Sequence, residues 1–185
     1  MEQNVIQRNM WNTAGKAGLA LGGISTAYLF LNQWLTMAQM PSFLVLILNS
    51  VLWLLKFGGC LMLLLFYMKQ FASENPQAER THIFKAGMAM AFLSALVYAA
   101  FTFANIAFIY PDYFSGQMET MMEQLAPMLD SNSSAQIEKT FQNLPQITFF
   151  SNLIYCFMYG TILSSGISRY LSRQNPFIGY KPEDQ

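Results

Sequence analysis

The chain has 185 residues, 54% of them hydrophobic and 11% charged, and its acidic and basic side chains balance to a formal net charge of zero. A soluble domain carries about 25% charged residues, so the deficit points to a bilayer as solvent, while the lack of any basic tract excludes a nucleic-acid-binding surface. The length suits one domain, and the reading is an all-α membrane protein, a single membrane domain over 1–185 built as a four-transmembrane-helix bundle.

Crossing a hydrocarbon core of about 30 Å takes roughly 20 apolar residues in a helix, and four stretches are long enough: 14–37, 42–68, 84–110 and 146–171. The first has Arg8 before it and Thr36-Met37-Ala38 at its end, which is the outline of a secretory signal. Asn32, Gln33 and Trp34 interrupt the run, however, and cleavage after Ala38 would leave the next span almost at the new terminus, so an uncleaved helix is expected. Lys16, Lys85 and Arg169 lie near span ends, where a long side chain can reach the interface. Lys56 lies deep inside the second span.

Between the third and fourth spans, residues 111–145 form a loop too long to be only a connector. Met118, Met121, Met122, Leu125, Met128 and Leu129 recur at helical spacing; Ile137, Phe141 and Leu144 do so again after the polar break Ser131-Asn132-Ser133-Ser134. Two short amphipathic helices are predicted, the first bent or ended by Pro127, the second capped by Ser133 with Gln136 and ended by Pro145. Their apolar faces would be buried and Glu119, Glu123 and Glu138 exposed. Arg8, Lys16, Lys69, Arg80, Lys85, Arg169, Arg173 and Lys181 flank the spans on the side of the termini, whereas the loop holds Lys139 against Asp112, Glu119, Glu123, Asp130 and Glu138. Basic flanks resist translocation, so both termini and the tail 172–185 are expected to be cytoplasmic, and the loop extracytoplasmic. Trp34, Tyr110 and Tyr113 suit the outer aromatic belt.

Within the spans, small and polar residues fall on stripes. Asn49, Trp53, Lys56 and Cys60 share one face of the second helix. The third carries Gly87, Ala91, Ser94, Tyr98 and Asn105; the fourth carries Asn152, Tyr155, Tyr159 and Gly166. On the first, Gly15, Gly18, Gly22, Ser25 and Asn32 line up with Tyr28 beside them. Small residues let membrane helices approach closely, and that is the structural account of such stripes. The functional account is a polar interior in which Lys56, near Tyr28, Tyr98, Tyr155 and Tyr159, binds an anion or a lipid phosphate, since a mid-membrane cation needs a compensating partner. No carboxylate lies within a span, so the expected partners are hydroxyls, backbone carbonyls freed near Gly58-Gly59, water or a bound anion.

Other chemistry has less support. Cys60 and Cys156 fall in apolar segments about 10 Å apart along the membrane normal, so no disulfide is expected. The methionines invite a Cu(I) reading, yet their spacing is that of a helix face and no outer His or Cys joins them. His82 sits in a cytoplasmic turn as a solvated side chain, and no nucleophile motif or phosphate-cradling loop is present, so no enzyme activity, cofactor or metal is expected.

Phe84-Lys85-Ala86-Gly87, the run to Tyr110-Pro111-Asp112, the Met- and Glu-rich segment and the closing helix together resemble the domain-of-unknown-function 4199 family, small four-helix membrane proteins found mainly in Bacteroidetes. Glu79-Arg80-Thr81-His82 departs from the more glycine-containing lead-in of that pattern. The resemblance implies an inner-membrane location and transfers no catalytic residue. It also points to a partner in polyprenol-linked glycan assembly. The expected role is an accessory or scaffold subunit that works with membrane lipids and a membrane-protein partner or a second copy. The competing expectation is a small transporter or a lipid- or anion-binding protein centred on Lys56, with Asn49 and Asn152 contributing to the polar core.

Overall fold

The computed structural model describes residues 2–38, 41–125, 137 and 139–174, and among these there is no strand. Helix α1 runs Glu2–Met37 and α2 Ser42–Glu74; α3, Arg80–Ala104, passes into a π-helical turn, Asn105–Ile109. Helix α4 covers Pro111–Leu125, and α5 covers Leu144–Gln174. Ser131 to Gln136, Pro127 and Glu138, on which the predicted bend, cap and acidic face of the loop depend, lie outside the described residues.

Prolines set several boundaries. Pro41, extended at φ −54° and ψ 133°, accepts the first bonds of α2 from the Leu44 and Val45 amides. Asn75 precedes Pro76 and leaves the helical region at φ −131° and ψ 72°, as a residue before proline tends to do. The same effect places Tyr110, before Pro111, at φ −134° and ψ 52°, where its amide bonds back to Asn105 at 3.0 Å and closes the π turn. Pro111 then opens α4 with Asp112 in the first turn, a favourable place for proline and for an acid. Pro145 occupies the first turn of α5, where its missing N–H costs nothing, while the helical run over 139–142 breaks at Asn143.

Three of the described helices are long and apolar enough to cross a membrane: Ser42–Glu74, Arg80–Ile109 and Leu144–Arg173. In α1 the apolar run is diluted by Lys16, by Gly15, Gly18, Gly22 and Gly23, and by Asn32-Gln33. The surface of α2 carries Phe43, Leu46, Leu54, Leu55, Met62 and Phe66 in the open. A water-soluble monomer seldom shows so continuous an apolar face, and a membrane supplies the medium that suits it.

The chain divides into two compact units, Met1–Tyr98 with Leu153–Gln185, and Ala99–Asn152. In the first, Ala14, Ala17 and Leu21 of α1 join Leu64, Met68 and Phe71 of α2, Ile83, Ala86 and Met90 of α3, and Ile167 and Leu171 of α5 in one buried cluster. Backbones approach closely where glycine permits it. A Cβ built on Gly18 would stand 2.6 Å from the Leu93 Cβ, one on Gly22 2.7 Å from the Val97 Cβ, and one on Gly160 2.5 Å from the Ala91 Cβ. Gly87 lies equally close to Ser164. No such neighbour is within 4 Å of Gly15 or Gly166, so those two members of the predicted stripes serve no close approach. On α5 the packed face runs through Gly160, Ser164, Ile167 and Leu171. That is one residue, or about 100°, away from the face expected from Tyr159 and Gly166.

α1 begins well before its apolar run, and its polar extension is anchored. The Asn9 amide donates to Asn75 Oδ1 at 3.2 Å, and the Asn75 amide donates to the Phe71 carbonyl at 2.9 Å, which satisfies the end of α2. His82, expected in a solvated turn, is instead half-buried in the first turn of α3, because that helix starts at Arg80; its Nδ1 is buried without a hydrogen-bond partner. In the second unit, Phe103 meets Phe108 and Phe149 edge to face, and Met118 and Met122 of α4 are half-buried while Glu119 and Glu123 are exposed.

Candidate functional site

Lys56 lies on α2, which continues as regular helix through Gly58-Gly59, so no backbone carbonyl is released there to receive its ammonium. Its Nζ stands over two ring faces instead, 4.7 Å from the Tyr28 centroid on α1 and 4.9 Å from the Tyr98 centroid on α3. Both distances fall within cation–π range, and the partly desolvated setting raises the strength of each contact. Tyr28 is held in place by its hydroxyl, which donates to Asn49 Oδ1 at 3.0 Å. Asn49 is therefore a positioning residue: it fixes the ring that faces the cation and does not meet the cation itself.

The ammonium borders a cavity of about 220 Å³ within the first unit. Trp53, Phe57 and Cys60 of α2 line it together with Ser25 of α1, Ala91, Ser94 and Tyr98 of α3, and Tyr155, Cys156 and Tyr159 of α5. Leu61, Leu64 and Leu163 complete an apolar floor. Ser25 Oγ and Cys60 Sγ share a hydrogen bond at 3.8 Å, and both cysteines are free. One wall is a connected series of rings. Trp53 stacks on Phe57 at 5.6 Å, Phe57 meets Tyr159 at 6.0 Å, and Tyr159 stacks on Tyr155 at 6.4 Å with 11° between planes. This series links α2 to α5 and is open on its outer side, where Trp53 is 53% and Tyr155 69% exposed.

The structure thus brings Lys56, Tyr98, Tyr155 and Tyr159 to one cavity, while Tyr28 meets the Lys56 ammonium from outside that lining, with Asn49 behind it. Asn152 is half-buried in the other unit. Phe57 and Cys156 are lining residues that their types do not single out. Phe57 is four residues after Trp53 and Cys156 four after Asn152, so each shares a face with the expected stripes, but an apolar side chain there carries no mark of a site. Chemically the cavity offers a donor-only cation, small hydroxyl and thiol groups, and flat rings, with no carboxylate among its lining residues.

The family described as Protein of unknown function (DUF4199) matches residues 16–171. No curated protein and no solved structure matches the chain.

Proposed function

The chain belongs to the DUF4199 family, and from that premise we propose that it is a non-enzymatic, multi-pass protein of the bacterial inner membrane whose Lys56 chamber binds a polar or anionic group of a membrane-resident ligand. The observation that carries the reading is the cation over two tyrosine rings, with no ion-pair partner among the described residues, beside a cavity with no acid in its lining. Helical rise puts Lys56 about 21 Å from Ser42 and about 20 Å from Lys69, close to mid-depth. A cation there costs at least about 2.5–3.5 kcal/mol unless protein or ligand compensates it.

In this proposal α1 is a fourth span, Gly18 and Gly22 packed on α3, and α4 with the helical turn before α5 forms a two-helix outer loop. The basic flanks favour cytoplasmic termini. Single cysteines in place of Arg8, Gln77 and Lys181, in a chain lacking Cys60 and Cys156, are expected to be shielded from a membrane-impermeant thiol reagent in intact cells, while one at Ser131 reacts. Gln77 suits this test because it is exposed, whereas its neighbour Asn75 is 2% exposed. Labelling at Gln77 with protection at Ser131 would reverse the orientation.

An accessory or scaffold role beside a partner membrane protein or a second copy, in lipid-linked envelope glycan assembly, is the second reading. The unpartnered apolar face of α2 at Leu46, Leu54 and Met62 favours it. Purification from native membranes followed by mass spectrometry separates the two. A small molecule or lipid retained by wild type and lost in Lys56→Met supports the chamber. A stoichiometric protein retained equally by both supports the scaffold.

A further inference from the structure

We propose that the Lys56 chamber receives the ring of a lipid-soluble carbonyl compound of the isoprenoid quinone class, with its tail leaving between α2 and α5. The inference rests on the chamber reading above and names its ligand.

Depth is the first argument. The phosphate of an ordinary lipid sits at the surface, and carrying it half of a core of about 30 Å inward removes an anion from water, at several kcal/mol. A neutral ring with carbonyl oxygens moves to that depth without a charge to desolvate, and its oxygens have lone pairs only. Lys56, which has donors only, is their complement, and Ser25, Ser94 and Cys60 add smaller donors along the same cavity.

Shape is the second. A volume of about 220 Å³ is below the usual range for a whole drug-sized ligand, so it admits a ring and leaves the remainder outside. One wall of the same cavity is built from stacked flat side chains, Trp53 on Phe57 and Tyr155 on Tyr159, the surface against which another flat ring packs best. Trp53 and Tyr155 are more than half exposed at the outer side of that wall, so an apolar tail has a lateral exit into the bilayer.

Trp53 reports on the chamber directly. W11F/W34F protein keeps it as the sole tryptophan, and W11F/W53F keeps Trp34, which is outside the chamber lining, as a control. Each is placed in nanodiscs of phosphatidylethanolamine and phosphatidylglycerol and titrated with menaquinone-4. The expected result is saturable quenching of Trp53 and only linear quenching of Trp34. Lys56→Met is expected to shift the midpoint about tenfold, the worth of one charge-assisted hydrogen bond. Tyr155→Leu, at a side chain too exposed to hold the fold together, is expected to weaken binding as well. Linear quenching at both tryptophans, or saturation that neither substitution moves, overturns the assignment. If Trp53 quenching is linear while Lys56→Met still strips a copurifying anionic lipid, the chamber stands and the quinone falls; if Lys56→Met strips nothing, both fall.

Discussion

Alanine at Gly160 or Gly18 is expected to destabilise the protein by about 1–3 kcal/mol each, whereas the same substitution at Gly58 or Gly166 is expected to stabilise it by up to about 1 kcal/mol. The sign depends on what the new methyl meets. At Gly160 it would lie 2.5 Å from the Ala91 Cβ and 3.4 Å from its Cα, atoms that no rotamer change can move. At Gly18 it would meet the Leu93 Cβ at 2.6 Å and the backbone of Leu93 and Ser94 at 3.2 and 3.3 Å. Relief requires helix axes to separate, and separation removes contacts along the whole interface between α1 and α3 or α3 and α5. Gly58 and Gly166 have no neighbour within 4 Å, so alanine there only restricts the unfolded backbone and favours helix. Midpoint temperatures from fluorescence-detected size exclusion in detergent check the pattern. Equal shifts of one sign at all four positions would mean that these glycines do not mark the helix contacts.

How far the sequence led can be judged at those same positions. Gly18, Gly22 and Gly87 were legible because a 3.6-residue period places small residues on one face, and close packing uses such faces. Gly160 was not, and Gly166 was read in its stead. A stripe identifies which residues share a face, but the partner decides which of two adjacent faces is packed, and on α5 the packed one is a residue further round. The Lys56 constellation was largely legible for the opposite reason. A cation in the middle of an apolar run admits few surroundings, and the tyrosines at matching depth on other helices were visible in the spacing. Phe57 and Cys156 carry no such mark, since a phenylalanine or cysteine in an apolar helix is unremarkable until a neighbour is known. The extension of α1 back to Glu2 was hidden by its polarity. Among the described residues of its start Ile6, Thr13 and Ala14 are buried, and its anchor, Asn9 on Asn75, joins two residues whose types suggest a solvated surface turn. The π turn at Asn105 leaves no compositional trace, because it is a change in carbonyl partner rather than in side-chain pattern.

Lys56→Glu is expected to lower the midpoint in detergent by several degrees, while Lys56→Met leaves it unchanged or raises it. The tyrosine rings explain the asymmetry. An aromatic face is the negative part of the ring quadrupole, so Tyr28 and Tyr98, 4.7 and 4.9 Å from the ammonium, attract a cation and repel a carboxylate. Glutamate also incurs the mid-membrane penalty for an ion, about 2.5–3.5 kcal/mol, without the ring contacts that offset it for lysine. Methionine has a similar length and no charge, so it fills the space and removes the desolvation cost. In membranes that contain the ligand, the order of wild type and Lys56→Met should reverse, because a molecule that binds only the folded lysine form stabilises it by mass action. Two melting series, one on delipidated protein and one in native membrane extract, therefore distinguish a lysine kept for binding from one kept for packing. If Lys56→Met melts above wild type in the delipidated series and below it in the extract, Lys56 serves a ligand. The same order in both would assign the residue to the scaffold alone.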